Sequence, residues 1–556
     1  MSDAGGLLGT AVSGLLAFQR NLATTGNNIT NVNTEGYTRQ SVELAARAPN
    51  ISSSGFIGNG VSVTTIKRVF DQFLFDEVTL RNSSYSQLDT LQSMASRVDE
   101  LLGGEQSGLD PVIQQFFNAT QDVANNPTSV PARQLLISQA QTLVNRFTAL
   151  DGRIESLRDT TNAQIEVVTR EITGIASSIA ELNAAIARDS GRAGGQPPND
   201  LLDKRDSLVS RLSELVSVNT VEASDGALNV FIGNGQSLVL GSTSNTIGVT
   251  PNAFDPSELD VSFSTGSQSF SINSQISGGT LGGLLQFRQQ VLDPTQNAMG
   301  RIAIGLAGSV NAQHQLGDDL NGNPGGLFFN NIVGTSPEVL ANANNDPASG
   351  NMAVSIDDTG LLRASEYRLN YDGATFTLTR LEDNVVVDSG FTIADFPRSV
   401  AADGFTLDIA GGVAAGDRFL IRPVRNGARD LGVAITNPAE VAAAASGNAL
   451  GDNSNALALA GLQNQKTLGS GTETFQSAFS KIVATIGVRT SEARVNAGAQ
   501  RALLDRAIDA QQSVSGVNLD EEAANLLRFQ QAYQAAAQVV SVSSELFQTL
   551  LSATSR

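Results

Sequence analysis

Both ends of this chain carry apolar residues at a strict seven-residue spacing. Near the N-terminus the repeat runs through Leu8, Leu15, Leu22 and Ile29, with Phe18 three residues after one of them. Near the C-terminus it runs through Leu519, Leu526, Tyr533, Val540 and Phe547. This spacing is typical of a coiled-coil seam rather than of a broad amphipathic face. We therefore predict two terminal helices that pack along narrow apolar seams.

Few charged residues accompany the N-terminal seam. Between Asp3 and Glu35 the only ionisable side chain is Arg20. The acidic run 520–522 lies in the predicted first turn of the C-terminal helix, where carboxylates complement the helix dipole. The two helices could pack against each other within one chain or be covered by neighbouring copies. Because neither has enough charged surface to face water, we favour cover by neighbouring copies.

A very long helix is predicted at 129–189. Apolar residues keep a heptad from Leu136 to Leu157 and again from Ile165 to Ile186, and the step from Ile154 to Ile165 is a four-residue stutter. At about 1.5 Å rise per residue, such a helix is roughly 90 Å long and predicts an elongated protein. Shorter helices are predicted at the following ranges: 72–102, 111–124, 200–216, 281–313 and 475–512.

Two internal stretches are predicted to be β-rich. The first, 218–276, contains short alternations such as Leu228-Val230-Ile232. The second, 353–423, alternates more strongly, with a two-residue turn at Asp372-Gly373 between two runs. The fold class is therefore α+β and multidomain, with β-rich insertions in an elongated helical rod.

Composition excludes several classes of function. The formal charge is −20, without a basic stripe, which argues against nucleic acid and anionic membranes as partners. No apolar run is long enough to span a bilayer, and residues 1–9 lack the basic region of a cleaved signal peptide. The absence of cysteine excludes disulfides and thiolate sites.

No catalytic, cofactor or metal site is predicted. The one histidine, His314, has no second histidine or carboxylate beside it in the sequence and is expected to be structural. The segment 319–323 resembles the start of a calcium loop. However, Pro324 stands where such a loop needs glycine, and Asn330 where it needs a bidentate glutamate. We expect an ordinary turn there and no enzymatic activity.

A dense cluster of asparagines follows the first helix. Its members, with the two residues that end the motif, are Asn27, Asn28, Asn31, Asn33, Gly36 and Tyr37. Asparagine side chains compete for backbone hydrogen bonds and tolerate left-handed conformations, so they favour a folded-back turn over continued helix. Gly36 then frees the backbone, and Tyr37 can anchor the loop.

This motif, 27–40, resembles the N-terminal signature of the rod, hook and hook-associated proteins of the bacterial flagellum. Residues 515–533 resemble the C-terminal signature of the same proteins. Four internal segments are similar to those of the hook-associated protein 1 family, which forms the first junction between hook and filament: 58–61, 199–206, 282–288 and 311–322. The resemblance spans nearly the whole chain.

The resemblance implies a structural subunit of the hook–filament junction. It predicts a terminal polymerisation domain (1–50 with 513–556), a helical rod domain (51–216, 277–335 and 450–512), a small β-rich insertion (217–276) and a β-rich outer domain (336–449). The ten residues of the two terminal seams, given at the start of this section, would pack between subunits.

The resemblance also implies the partners. These are further copies in a helical ring of about eleven per turn, the hook protein, hook-associated protein 3, an export chaperone and the flagellar export apparatus. The protein would be extracellular and exported without a cleaved signal peptide. The alternatives are another flagellar axial protein, or a secreted adhesin or enzyme displayed on coiled-coil ends.

Overall fold

The computed structural model describes residues 2–52, 55–104, 108–266 and 268–554. The terminal residues 1, 555 and 556 of the predicted ranges lie outside them. Helices dominate, and small antiparallel sheets are inserted between them, so the α+β multidomain class is confirmed. The helices are α1 Ser2–Thr30, α2 Gln72–Gly103, α3 Asp110–Asn125, α4 Val130–Arg192, α5 Asn199–Leu215, α6 Gly279–Phe287, α7 Asp293–His314, α8 Ile332–Thr335, α9 Gly427–Asp430, α10 Ser454–Gly461, α11 Phe475–Ser515 and α12 Leu519–Thr554.

The strands fall into three regions of the chain. The first region holds β1 Gln40–Ala46, β2 Asn50–Ser52, β3 Gly55–Ile57 and β4 Val61–Arg68. The second holds β5 Val218–Glu222, β6 Leu228–Ile232, β7 Gln236–Leu240, β8 Thr243–Ser244, β9 Thr246–Pro251, β10 Leu259–Thr265 and β11 Gln268–Ser271. The third holds β12 Gly317–Asp318, β13 Glu338–Ala341, β14 Asn351–Ile356, β15 Tyr367–Tyr371, β16 Phe376–Arg380, β17 Val385–Phe391, β18 Arg398–Val400, β19 Phe405–Ala410, β20 Arg418–Arg422 and β21 Ala444–Ala445.

The long helix predicted at 129–189 is confirmed as α4, which has 63 residues and is therefore about 95 Å long. It begins where the Ser129 side chain accepts a hydrogen bond from the backbone of Ala132. Its two heptads are buried throughout, except for the half-buried Leu157. They do not form a supercoiled pair, however, because α4 packs along its length against helices α3 and α5 and strand β9.

The single helix predicted at 281–313 is divided into α6 and α7 by one π-helical turn, Arg288–Leu292. Glycines let α6 approach its neighbours closely. A Cβ atom on Gly283 would stand 2.5 Å from the backbone oxygen of Gln87 in α2, and one on Gly279 would stand 2.2 Å from the backbone carbon of Leu215 in α5. The glycines of 282–288 are thus packing positions.

Most strands of the second and third regions lie within the predicted β-rich ranges. Strands β12, β13 and β21 lie outside 353–423, and β14 begins two residues before it. We call the part of the chain from β13 to Arg425 the outer unit. It contains a five-stranded sheet, β13-β20-β15-β16-β17, and a three-stranded sheet, β14-β19-β18. Their buried faces form a separate core around Leu369, Phe376 and Phe405. The alternation predicted on either side of Asp372-Gly373 is confirmed, since β15 and β16 pair with Tyr371 opposite Phe376.

A cluster of buried arginines connects the outer unit to the helices. Arg158 of α4 pairs with Glu258 at 2.8 Å and with Asp293 of α7 at 2.8 Å. Arg425, just after β20, pairs with the same two carboxylates at 3.1 and 3.3 Å. Since α4, α7, the second strand region and the outer unit all contribute a charge, separating any one of them would leave a buried charge unpaired.

Arg422 extends this cluster to Asp255, with a separation of 2.6 Å between Nη1 and Oδ2. Burial alone would raise the pKa of Asp255. The hydrogen bonds from Ser257 and the Arg422 guanidinium outweigh it and hold this pKa at about 2. The ordinary value for aspartate in an unfolded chain is about 3.9.

We predict that Gly283→Ala destabilises the protein by about 1–3 kcal/mol, because its methyl group would overlap the α2 backbone. Urea unfolding followed by circular dichroism measures the change. Gly152→Ala is the matched control: it also lies within a helix, but a Cβ atom there meets no atom within 4 Å. It should stabilise by about 0.5–1 kcal/mol. Equal effects of the two substitutions would contradict the close α2–α6 packing.

We also predict a pH dependence from Asp255. Its folded pKa lies below the unfolded value, so its stabilising contribution is complete above about pH 4 and is lost as the pH falls towards 2. Asp255→Asn should therefore lose less unfolding free energy than the wild type between pH 4 and pH 2. Urea titrations at fixed pH values measure this. Asp408→Asn, at an exposed aspartate of the outer unit, should follow the wild type.

Candidate assembly surface

The end of α1 is fixed by the side chain of Asn28. Its amide nitrogen donates to the Gln40 carbonyl at 2.9 Å, and its oxygen accepts from the Gln40 backbone N–H at 2.9 Å. The side chain thus pairs with the backbone as a neighbouring strand would. Asn28 is 1% exposed, so both of these polar atoms need the partners they have.

Tyr37 closes the turn over the same asparagine. Its hydroxyl donates to Asn28 Oδ1 at 2.8 Å and accepts from Asn27 Nδ2 at 3.3 Å. Burial, and after it the nearby carboxylates of Asp203 and Asp200, raise the pKa of Tyr37 to about 12. The phenol therefore stays protonated and able to donate at every physiological pH.

The remaining residues of the predicted turn motif, Asn31, Asn33 and Gly36, make fewer contacts than Asn28 and Tyr37 do. Asn31 continues the helical hydrogen bonding beyond Thr30, since its side chain donates to the Asn27 carbonyl at 2.9 Å. Asn33 is exposed. Gly36 has φ +75°, and a Cβ atom there would stand 3.3 Å from Ser207 Cβ, so both conformation and space favour glycine.

The turn is attached to α5 through one aspartate. Asp203 accepts hydrogen bonds from the backbone N–H of Thr38 at 3.1 Å and from its hydroxyl at 2.5 Å. Arg68, at the end of β4, reaches Asp203 at 3.2 Å and Asp206 at 2.5 Å. The acidic residues of 199–206, which resemble a family segment, therefore hold the chain between α1 and α2.

The C-terminal signature meets the same place. The Arg39 backbone N–H donates to the Ser515 carbonyl at 2.8 Å, and its guanidinium pairs with Glu521 at 2.9 Å and with Glu522 at 3.4 Å. Segments from the beginning, middle and end of the chain thus converge. We call the contacts of Asn28, Tyr37, Thr38 and Arg39 the joint.

Beyond the joint, α1 and α12 pack against each other. The C-terminal end of α1 lies beside the N-terminal end of α12, so the two helices are antiparallel. The face of α1 that is buried consists of small and polar residues: Ala11, Ser13, Ala17, Asn21, Thr24, Thr25 and Asn28. Packing within one chain, one of the two arrangements open from the sequence, is therefore present.

The predicted seam residues are only partly covered by this pairing and by the rest of the chain. Leu8, Leu519 and Phe547 are exposed, at 37%, 50% and 54%. The others are half-buried: Leu15, Phe18, Leu22, Ile29, Leu526, Tyr533 and Val540. Further large apolar residues of the same two helices are exposed, among them Leu7, Val12, Leu16, Leu527, Val539, Val542 and Leu546. An extensive apolar surface therefore remains on the paired helices.

A β-hairpin made of β1 and β4, with β2 and β3 at its tip, lies against α1. The Val61 backbone N–H donates to Ser13 Oγ at 3.1 Å. Gly60 has φ +86°, and a Cβ atom there would stand 2.0 Å from that oxygen, which explains the glycine in 58–61. At the tip, Ile51 and Phe56 are 82% and 76% exposed.

Sequence reasoning missed this hairpin and the charged residues of the joint. The alternation in Val61-Ser62-Val63 was a signal for β4. Nothing local in the sequence pointed to the pairing of Thr38 with Asp203, because 165 residues separate them.

The other candidate residues have structural partners. His314 is buried, with Nδ1 2.8 Å from the Gly326 carbonyl oxygen, and its Nε2 accepts from the Ala442 backbone N–H at 2.9 Å. Asp319 accepts from the backbone N–H groups of Asn321 and Asn323, as in a turn. The described residues include no group of three or more possible metal ligands. None of the described helices is long and apolar enough to cross a membrane.

Comparison with known protein families matches four segments of the chain. Residues 95–329 match the flagellar hook-associated protein FlgK helical domain, and residues 340–423 match the D2-like domain of flagellar hook-associated protein 1. Residues 8–38 match the flagella basal body rod protein family, and residues 510–553 match the flagellar basal body rod FlgEFG protein C-terminal family. The last two matches cover most of α1 and α12.

Individual relatives match over nearly the whole length. Flagellar hook-associated protein 1 of Salmonella typhimurium is 37% identical over 98% of this chain and 99% of its own. The Escherichia coli protein of the same name is 36% identical with the same coverage. The solved structure of the flagellar hook junction protein FlgK from Burkholderia pseudomallei has a TM-score of 0.74 and 28% identity, and it covers 79% of this chain and 100% of that one. The chain belongs to the flagellar hook-associated protein 1 family.

Proposed function

We propose that this chain is a structural subunit of the bacterial flagellum that forms the hook–filament junction and polymerises through α1 and α12. The observation that carries the proposal is the apolar surface left on the paired terminal helices. Soluble monomers rarely expose large contiguous apolar patches, and those that do use them to bind other proteins or membranes. The −20 charge argues against anionic membranes.

The composition of the buried face of α1 supports this role. The buried apolar side chains of this face, such as Ala11 and Ala17, are small, whereas large ones such as Leu16 and Phe547 of the two helices stay exposed. The large side chains are therefore available to neighbouring subunits. At about 25 cal/mol per Å² of apolar area, covering several of them on assembly contributes a favourable free energy.

The exposed tip of the hairpin adds to the same surface. A hairpin with only two strands is marginally stable by itself in water, and this one is held by α1 along its strands and by α5 at Ile66 and Arg68 of β4. Ile51 and Phe56 would be covered if a neighbouring subunit packed against the hairpin as well as against the terminal helices. The ten seam residues and this tip are therefore the proposed subunit contacts.

The proposed partners follow from the family. They are further copies of the chain in a helical ring of about eleven per turn, the hook protein on one side and hook-associated protein 3 on the other. An export chaperone and the export apparatus would handle the chain before assembly. The protein would lie outside the cell at the hook–filament junction, exported without a cleaved signal peptide, and would act without catalysis.

The joint has a definite part in this proposal. It fixes the direction in which α1 leaves the rod, because Thr38 and Arg39 are held by α5 and α12 at the same time. A subunit that carries force between hook and filament needs this connection to be ordered. We propose that the asparagine–tyrosine turn serves the connection and does not itself contact a neighbour.

We predict that deleting 519–556 abolishes assembly and leaves the central domains folded. The reason is that α12 supplies half of the apolar surface, while the main core extends from α2 to α11 without it. Electron microscopy of hooks and circular dichroism measure the two effects. Filaments that are completed with the truncated protein would contradict the proposed role of α12.

Point substitutions separate assembly from folding. Leu527→Ser with Leu546→Ser removes two exposed side chains, so the stability of the isolated chain should change by less than about 0.5 kcal/mol while assembly is lost. Gln530→Ser with Gln538→Ser, at exposed polar positions of the same helix, is the matched control and should assemble normally. Normal assembly by the leucine variant would exclude this face as a subunit contact.

We predict that Thr38→Val loosens the terminal helices. It removes a hydroxyl that donates to a carboxylate, a loss of about 1.5–3 kcal/mol. Local opening of the joint, and with it cleavage in 36–40 during limited proteolysis, should rise at least about tenfold. Thr34→Val is the control, because the Thr34 hydroxyl bonds Asn31 at an exposed site. Equal cleavage in both variants would show that the Asp203 contact does not hold the turn.

A further inference from the structure

A cavity lies between the outer unit and helices α7 and α11. Its volume is about 190 Å³. Helices α7 and α11 form one side, and two loops of the outer unit, through Arg363 and Glu382, form the other. Neither the proposed assembly role nor the arginine cluster around Arg158 uses this cavity.

Four basic side chains line the cavity: Arg301, Arg363, Lys481 and Arg489. Glu382 is the only acidic residue of the lining. Arg301 and Lys481 share Glu473, each at 2.7 Å, and Arg363 lies 3.7 Å from Asp403. Counting these carboxylates, the cations still exceed the anions by one, on a chain whose total charge is −20.

Two of these arginines have unused donors. Arg301 is 9% exposed, and its Nε atom is buried without a hydrogen-bond partner among the described residues. Arg489 is half-buried and makes no ion pair within the described part of the chain. A buried guanidinium nitrogen that donates to nothing is costly, and native proteins usually pair such a nitrogen with a protein group, a water molecule or a bound group.

The rest of the lining is apolar. Val291, Ala298, Ala478, Ile482 and Ile486 contribute to it, and four of these five are buried residues of the main core. A cavity with an apolar wall and a cationic edge fits a group that has one negative charge and a short hydrocarbon body. An inorganic anion would satisfy the arginines but leave the apolar wall without a partner.

We propose that this cavity binds a small monocarboxylate with a short aliphatic chain. The carboxylate accepts hydrogen bonds from Arg489 and Arg301, and the chain lies against the side chains of Ile482 and Ile486. Bidentate pairing with guanidinium is the strongest interaction open to such a group. Because α7, α11 and the outer unit all contribute to the lining, the ligand would brace the outer unit against the rod.

The test uses the full-length protein and sodium hexanoate as the probe. Isothermal titration calorimetry should show saturable binding to the wild type. Arg489→Gln should weaken this binding about tenfold, the loss expected for one charge-assisted contact. Arg494→Gln, at an exposed arginine of the same helix that does not line the cavity, is the matched control and should bind as the wild type does.

Two further ligands separate charge from apolar contact. Hexylammonium, with the same chain and the opposite charge, should not bind. Inorganic phosphate should bind at least several-fold more weakly than hexanoate. The proposal is overturned if hexanoate gives no saturable binding, if Arg489→Gln binds it as tightly as the wild type, if hexylammonium binds equally, or if phosphate matches hexanoate.

Discussion

The pairing of α1 with α12 is the constraint on which the rest of the architecture depends. It brings together two segments that lie nearly 500 residues apart in the sequence. The chain from α2 to α11 therefore begins and ends at the joint. The helices α2 and α11, which pack against each other, provide the outward and return paths, and the β-rich units are inserted in the chain between them. Arg39 closes the path, because it contacts both Ser515 and Glu521.

Much of this fold could be predicted because the information is local. The start of α4 depends on Ser129 and Pro131, and its buried side on a spacing that can be counted along the sequence. The strands β15 and β16 are joined by a short turn that contains Gly373, a signal that also acts within a few residues. The predicted two-residue turn at Asp372-Gly373 is wrong in length, because the pairing of Tyr371 with Phe376 leaves the four residues 372–375 between the strands. Such signals hold because neighbouring residues alone satisfy the backbone. The division of 281–313 at a π-turn was not predicted, because the apolar spacing there continues across the turn and no helix-breaking residue lies within it.

The joint and the choice of helix face could not be read from local signals. Asp203 and Thr38 meet only after the whole rod has folded, so no spacing in the sequence indicates the contact. Heptad spacing identified the large residues of α1 but not what covers them. The structure buries Ala11 and Ala17 instead and leaves Leu8 exposed. A seven-residue spacing shows which residues lie on one face of a helix, but it does not show which partner packs against that face.

The large apolar side chains that stay exposed on α1 and α12 have a consequence for assembly. Leu16, Leu527 and Leu546 are each more than half exposed, although the two helices already pack against each other. A neighbouring subunit can therefore cover them without first displacing a contact within the chain. The asparagine–tyrosine turn and Arg39 keep the two helices close enough to act as one surface. On this reasoning, the surface that we propose for assembly is already formed before a neighbour binds, which lowers the ordering cost of the contact.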